Sequence, residues 1–279
     1  MKAEIGRLST GYLWIVKGSD MKCKDEAARV NQQHWEKMVA EGCGYCLPWL
    51  DLDRARIEQL LSLPTEQLPE PYDCLYPAEI FLNSVGKEVL CLASGGGQQS
   101  AVFGLLRANV TVVDLAGGQL MADLQAAAHY GYPVQTFQAD MRDLSELADE
   151  SFDVVYQANS IGYVPDPRPV FSEVARVMRP NGCYRVVFGN PATAYIEWDG
   201  NHYIVSKPYQ ETSHQRDTAI DYRHSMEDIF NGMIQSGLQI KKVIEAPYSK
   251  QDSADFEPGS WNHERCFVGG EFTVLASKV

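Results

Sequence analysis

Residues Gly95, Gly96 and Gly97 follow an apolar run at 89–93, and a second apolar run at 110–114 ends on Asp114. Glycine lets a backbone approach a ligand where any side chain would collide, and a helix start behind the glycines offers unpaired N–H groups. A carboxylate that ends the next strand can accept hydrogen bonds from ribose hydroxyls. The combination predicts a nucleotide-like ligand, against the plainer reading of a tight turn with a capping carboxylate. A further group with chemical capacity is Asn159, Ser160 and Tyr163, which leave the end of a later apolar run at 152–158. Ligands of open parallel sheets bind at such strand ends, so these residues, Tyr163 above all, are candidates for the substrate side.

Strands alternating with helices must position these groups. Runs at 89–93, 110–114, 134–137, 152–158 and 183–188 read as strands. Between them lie a helix at 98–106, one with Leu120, Leu124 and Ala127 on a face, and one with Val170, Val174, Val177 and Met178 in register. Such alternation implies a parallel sheet covered on both sides. Helices at 25–40 and 52–61 come first, and a proline-rich connector at 63–77 leads into the main unit. After Asn190 a polar, aromatic stretch reaches about Arg223, followed by a helix with Met226, Ile229, Phe230, Met233 and Ile234 as its stripe. Final strands at 240–245 and 267–276 are separated by a long loop, and residues 1–20 read as a loose arm.

With 279 residues and 45% hydrophobic content, the chain can bury one large α/β core with extensions. A net charge of −13 disfavours nucleic acid and anionic membranes, which leaves a small molecule as the expected partner. Seven scattered cysteines read as free thiols in a reducing compartment. The apolar run at 12–16 is too short for a signal segment or a membrane span, so a soluble, cytoplasmic protein is expected. Cys43 and Cys46 form a C-x-x-C within GCGYC. No second cysteine pair follows and no thioredoxin-like strand precedes it, so incidental thiols are preferred over a redox or metal site.

From about residue 88 to 191 the chain resembles the core of the class I S-adenosylmethionine-dependent methyltransferases. LASGGG at 92–97 matches the first motif of that family, Asp114 its ribose carboxylate, and Ala139-Asp140-Met141 its adenine-side turn. Phe152-Asp153-Val154-Val155 matches the fourth strand, and EVARVMRPNG at 173–182 the helix and turn before the fifth. Two positions depart from the pattern: Cys91 stands where an acidic residue is common, and Ala93 where the first glycine is common.

The resemblance implies a Rossmann-like three-layer α/β sandwich, its seven-stranded sheet mostly parallel with an antiparallel last strand, plus an N-terminal helical cap. The expected division is an arm and cap at 1–77 and a core at 78–279, with a substrate-side insertion at about 190–223. S-adenosylmethionine is the implied cofactor and S-adenosylhomocysteine its product. Ala93, Ser94, Gly95, Gly96 and Gly97 would pass close to the methionine moiety, with polar contacts from Gln98 and Gln99. Asp114 would grip the ribose, Leu115 would pack near the adenine, Asp140 would accept from the adenine amino group, and the Met141 N–H would donate to the ring. Ala158 and Asn159 would supply acceptors for the ammonium group. An alternative role for Asp140 is to cap a short helix near Leu144.

On the substrate side the expected residues are Ser160, Tyr163, Tyr195, Trp198 and Tyr203, with Tyr45 as a pocket lid. Tyr163 and His202 are the catalytic candidates. His214, His224 and His263 are further possible proton acceptors at neutral pH. Aromatic walls with nearby carboxylates could suit a cationic amine. An NAD(P)-dependent oxidoreductase shares the glycine turn and the acidic strand end, but Ser100 occupies its third glycine position. A catalytically silent nucleotide-binding scaffold is the second rival. The adopted expectation is methyl transfer to a small-molecule acceptor by direct displacement without a metal, its acceptor atom left open.

Overall fold

The computed structural model describes residues 2–7, 13–18, 23–216, 218–245 and 252–279, without the side chains of 2–7, 13–18 and 214–216. A hairpin, β1 (Lys2–Arg7) and β2 (Leu13–Gly18), precedes helices α1 (Glu26–Ala40), α2 (Arg54–Leu61) and α3 (Ala78–Leu82). Strands and helices then alternate: β3 (Glu88–Leu92), α4 (Gln99–Leu105), β4 (Asn109–Asp114), α5 (Gly117–Tyr130), β5 (Val134–Gln138) and β6 (Phe152–Asn159). Helix α6 (Arg168–Val177) leads into β7 (Met178–Gly189). The stretch after β7 holds two small hairpins, β8 (Ile196–Trp198) with β9 (Tyr203–Val205) and β10 (Ser213–Arg216) with β11 (Ala219–Tyr222). The chain closes with α7 (Met226–Gln235), β12 (Leu238–Glu245), α8 (Trp261–Val268) and β13 (Glu271–Lys278).

Seven strands form the expected sheet in the order β5-β4-β3-β6-β7-β13-β12. Strands β3 to β7 are parallel, whereas β13 runs antiparallel to both β7 and β12. Alternate residues of β3 serve opposite layers. Leu90 and Leu92 pack with Phe171, Val174 and Ile229 of α6 and α7, and Val89 and Cys91 with Phe103, Leu120 and Tyr156. Strands buried on both faces are what a parallel sheet between two helical layers requires. Ile57, Leu60 and Phe81 of α2 and α3 belong to the second of these cores, so the segment before β3 is packed into one helical layer.

Three expectations are corrected. Residues 2–7 and 13–18 are not a loose arm: they add two strands, β2 pairing parallel with β5 and β1 antiparallel with β2, which makes a nine-stranded sheet. Pairing with a distant edge strand leaves no local periodicity to read. The last strand begins at Glu271, and residues 261–268 are helical. Ser260 caps that helix by accepting the His263 N–H, and Gly269 ends it with φ 69°, a left-handed conformation that suits glycine. No helix forms near Leu144, where isolated turns lie between 141 and 150. Among the described residues no helix is long and apolar enough to cross a membrane.

Candidate functional site

A cavity of about 850 Å³ opens at the ends of β3, β4, β6 and β7. Its floor comes from the β3 turn (Ala93, Ser94, Gly95, Gln98, Gln99) with Asp114, Gln119 and Met141. Residues 158–163 after β6 and Phe188 to Ala194 after β7 form the middle. Helix α1 roofs it with His34, Trp35 and Met38, and the far wall comes from Asp221, Tyr222, Arg223 and His224 with Trp261, Glu264 and Glu271. These strands are parallel, so their ends converge on one edge and bring distant sequence positions together.

The β3 turn is held by carboxylates. Asp114 Oδ2 accepts the Gly95 N–H at 3.1 Å, and its Oδ1 accepts the Ala116 N–H at 2.9 Å. From the buried face of α5, Asp123 accepts the N–H groups of Gly96 (3.2 Å) and Gly97 (3.0 Å) and the Ser100 hydroxyl. Burial raises Asp114 to about 6 and Asp123 to about 7. The glycines are required by this packing. A Cβ on Gly97 would stand 2.5 Å from the Ala122 carbonyl oxygen, and one on Gly96 would stand 2.8 Å from that of Tyr45. Of the three glycines, only Gly95 lines the cavity. The N–H groups expected to face a ligand therefore face protein oxygens, and none of the three is left for a pyrophosphate, which a dinucleotide site needs at this turn.

Helix α1 is fastened over the cavity by polar contacts along its length. At its start, Arg142 bridges the Asp25 cap and Asp140, reaching each at 2.6 Å, and both acids are hydrogen-bonded to the guanidinium. In its middle the buried Asn31 side chain donates to the Tyr163 and Ile220 carbonyls at 3.1 and 2.9 Å and accepts the Ile220 N–H at 2.8 Å. Glu36 accepts the N–H of Gly117 at 2.7 Å and so caps α5, whose own N-cap residue, Ala116, has no side-chain acceptor. Gly118 admits that contact, since a Cβ there would lie 2.9 Å from the Glu36 carboxylate.

The cavity brings together Ala93, Ser94, Gly95, Gln98, Gln99, Asp114, Met141, Ala158 and Asn159 of the expected cofactor residues, and Tyr45, Ser160 and Tyr163 of the expected substrate residues. Gly96, Gly97, Leu115 and Asp140 lie behind its wall, the Asp140 carboxylate paired with Arg142. The insertion aromatics anchor one another. Tyr195 stacks on Tyr209 beneath the Arg223 guanidinium, and Tyr203 and Trp198 pack on His263 of α8. His202 is exposed in the β8–β9 turn, where its N–H donates to Asp199 at 2.7 Å. Tyr203 donates to or accepts from His263 Nδ1 at 2.7 Å, and the side chain of His214 lies outside the described residues.

Other cavity residues escape sequence reasoning. Trp35 meets Tyr163 edge-on at 5.8 Å, and His34 Nδ1 lies 2.8 Å from Thr218 Oγ1. His224, by contrast, is one of the histidines expected as proton acceptors and does line the cavity; burial pushes it below the ordinary histidine range, and its Nε2 lies 3.1 Å from the Ile161 carbonyl oxygen. Asp123 is the one omission with a readable signal: a lone carboxylate on the apolar stripe of Leu120, Leu124 and Ala127 must find buried donors.

The residues fit S-adenosylmethionine. A carboxylate facing the floor can accept from a ribose diol, and Gln119 Oε1, at the same wall, is buried without a protein partner. A turn whose donors are satisfied suits a ligand that carries no phosphate. When bound, that group supplies a methyl carbon activated by a sulfonium.

Comparison with known proteins agrees. A methyltransferase-domain family model matches residues 90–186. An uncharacterised methyltransferase of Bacillus subtilis, YbaJ, is 34% identical over 230 residues, covering 77% of this chain and 89% of that protein. A ubiquinone biosynthesis O-methyltransferase of Pseudomonas syringae is 31% identical over 44% of this chain and 54% of its own length. The fold is shared with an S-adenosylmethionine-dependent methyltransferase of Mesorhizobium loti (TM-score 0.59, 19% identity), covering 73% of this chain and 97% of that one. The chain belongs to the class I S-adenosylmethionine-dependent methyltransferases.

Proposed function

We propose that this methyltransferase acts on a small-molecule acceptor held in the outer half of the cavity. The observation that carries the reading is one continuous cavity of about 850 Å³, running from Asp114 and Gly95 to Tyr163, Tyr222 and Trp261 under the roof of α1. That volume lies within the range of about 300–1,000 Å³ typical of small-molecule sites. A relative named for O-methylation in ubiquinone biosynthesis supports the same acceptor class.

Displacement at a methyl carbon needs the acceptor in line with the breaking bond and water kept out, and positioning supplies much of the rate. Asp114 would hold the ribose, and Ala93, Gly95 and Gln98 would line the methionine end. Trp35 and Tyr163 would wall the acceptor, and α1 would exclude water. Ser160, whose hydroxyl receives Gln157 Nε2 at 3.0 Å, lies at the junction of the two halves. A proton lost by the acceptor would pass to a nearby group such as His34 or Asp221.

Calorimetry with S-adenosylhomocysteine, followed by turnover of S-adenosylmethionine with a panel of phenols, amines and thiols, tests the reading. Donor binding together with turnover of a panel member supports it. Donor binding with turnover only on protein or nucleic acid would overturn the small-molecule assignment.

A further inference from the structure

The GCGYC segment plays no part in the chemistry above, yet it lies directly on the cofactor turn. Cys43 and Cys46 flank a single 3₁₀ turn, Gly44–Cys46, closed by the Cys46 N–H donating to the Cys43 carbonyl at 2.8 Å. Turn closure holds their Cα atoms within about 7 Å, and a disulfide spans roughly 4.4–6.8 Å. Burial first, and the neighbouring Cys43 second, push the Cys46 thiol up to about 11.

The same turn is fastened to the cofactor wall. Gln98 Nε2 donates to the carbonyls of Gly44 at 2.9 Å and Leu47 at 3.1 Å, and the Trp49 N–H donates to the Gly97 carbonyl at 3.2 Å. Gln119 Nε2 donates to Cys46 Sγ at 3.3 Å. Gln119 in turn packs under the glycines, its Cβ 2.6 Å from where a Cβ on Gly95 would stand. Movement of the Cys46 sulfur is therefore transmitted to the floor of the cavity through Gln119.

We propose that Cys43 and Cys46 are a reversible modification site, forming a disulfide that weakens binding of the methyl donor. This rests on the assignment of the glycine-turn wall to that donor. The oxidant is a small-molecule disulfide. Cys43 is the entry point, because it is only half-buried and adjoins Tyr45, which is 76% exposed. Its thiolate attacks one sulfur of the oxidant, whose S–S bond breaks and releases one thiol. Cys46, after losing its proton, attacks the Cys43 sulfur of the mixed disulfide and expels the second thiol. Two electrons pass from the cysteine pair to the oxidant, and the two protons end on the two released thiols. Bonding to Cys43 draws the Cys46 sulfur away from Gln119 Nε2, and the hold on the glycine wall is weakened.

The test equilibrates the full chain with mixtures of reduced and oxidised glutathione, traps free thiols by alkylation and maps the peptide that carries both cysteines. Calorimetry with S-adenosylhomocysteine is run on the reduced and oxidised forms. The expected result is an internal cross-link within that peptide and an affinity loss of at least about fivefold, the low end of ordinary coupling between two sites, restored by reduction. Cys43→Ser should bind as the reduced protein does under both conditions. Absence of the cross-link in excess oxidised glutathione overturns the proposal, as does equal affinity of the two forms. Binding to neither form overturns the donor-wall assignment and the proposal with it, and this result differs from equal binding to both.

Discussion

The Asp123 carboxylate, carried on the buried face of α5, accepts the N–H of Gly97 at 3.0 Å. The N–H groups of the glycine turn are thereby directed into the protein, while Asp114 lines the cavity. Replacing Asp123 with Ala strands the Gly97 N–H and the Ser100 hydroxyl, while the Gly96 N–H keeps the Gln119 carbonyl at 3.2 Å. Each unpaired buried group costs about 1–3 kcal/mol, so a loss of at least about 2–3 kcal/mol is expected in urea unfolding. An unchanged midpoint would show that these bonds do not hold the turn.

Proton binding gives the site a defined pH response. Asp114 and Asp123 are raised from 3.8 to about 6 and about 7 by burial, so the folded chain binds protons more tightly there than the unfolded chain. Their contribution to stability is therefore fully present below pH ~4 and is lost as pH rises toward ~7. Asp25 and Glu173, held low by the guanidiniums of Arg142 and Arg176, contribute above pH ~4 and lose that contribution in stronger acid. The thermal midpoint should peak near pH ~5 and fall toward pH ~8. A midpoint that climbs between those values contradicts the assignment.

Donor affinity should follow the opposite trend. Ribose hydroxyls donate to the ionised form of Asp114, so S-adenosylhomocysteine should bind about tenfold more weakly for each pH unit below ~6. Asp114→Ala should weaken binding at neutral pH by about 1–3 kcal/mol and remove that dependence. Calorimetry across pH on both proteins decides the matter, and unchanged affinity in the folded variant removes Asp114 from the site.

Ala93 has φ 45°, in the left-handed region that favours glycine. An L-residue there carries roughly 1–2 kcal/mol of strain, partly offset by the greater chain entropy that glycine loses on folding. Ala93→Gly should raise stability by about 0.5–1 kcal/mol, or roughly 1–2 °C in thermal midpoint. A lower midpoint would mean that the methyl group contributes more by packing than the backbone loses in strain.

Asn31 ties the roof to the rest of the cavity through Tyr163 and Ile220. Asn31→Ala should speed amide hydrogen exchange in α1 and β11 by at least tenfold, which corresponds to about 1.4 kcal/mol of local opening. Exchange limited to wild-type rates would show that Glu36 and Arg142 hold the helix without it.

The alternation from Glu88 to Gly189 is legible in the chain because the strands there are short segments rich in apolar and β-branched residues and the helices between them carry apolar stripes. The same local rule places Gly95 and Asp114 at neighbouring strand ends. It fails for α8, whose residues 261–268 mix aromatic and polar types, and for the strands at 2–7 and 13–18, whose partner β5 lies over a hundred residues away.

What the chain determines alone is its periodicities, its turn residues and hence its family, since these depend on neighbours a few positions apart. Which carboxylate faces the cavity is a different kind of question. Asp140 meets Arg142, Asp123 turns beneath the glycines, and Tyr195, Trp198 and Tyr203 anchor one another, leaving Trp35, Tyr222 and Trp261 at the wall. Those choices follow from hydrogen bonds and ring contacts between distant segments, and such contacts exist only once the strand ends have been brought together.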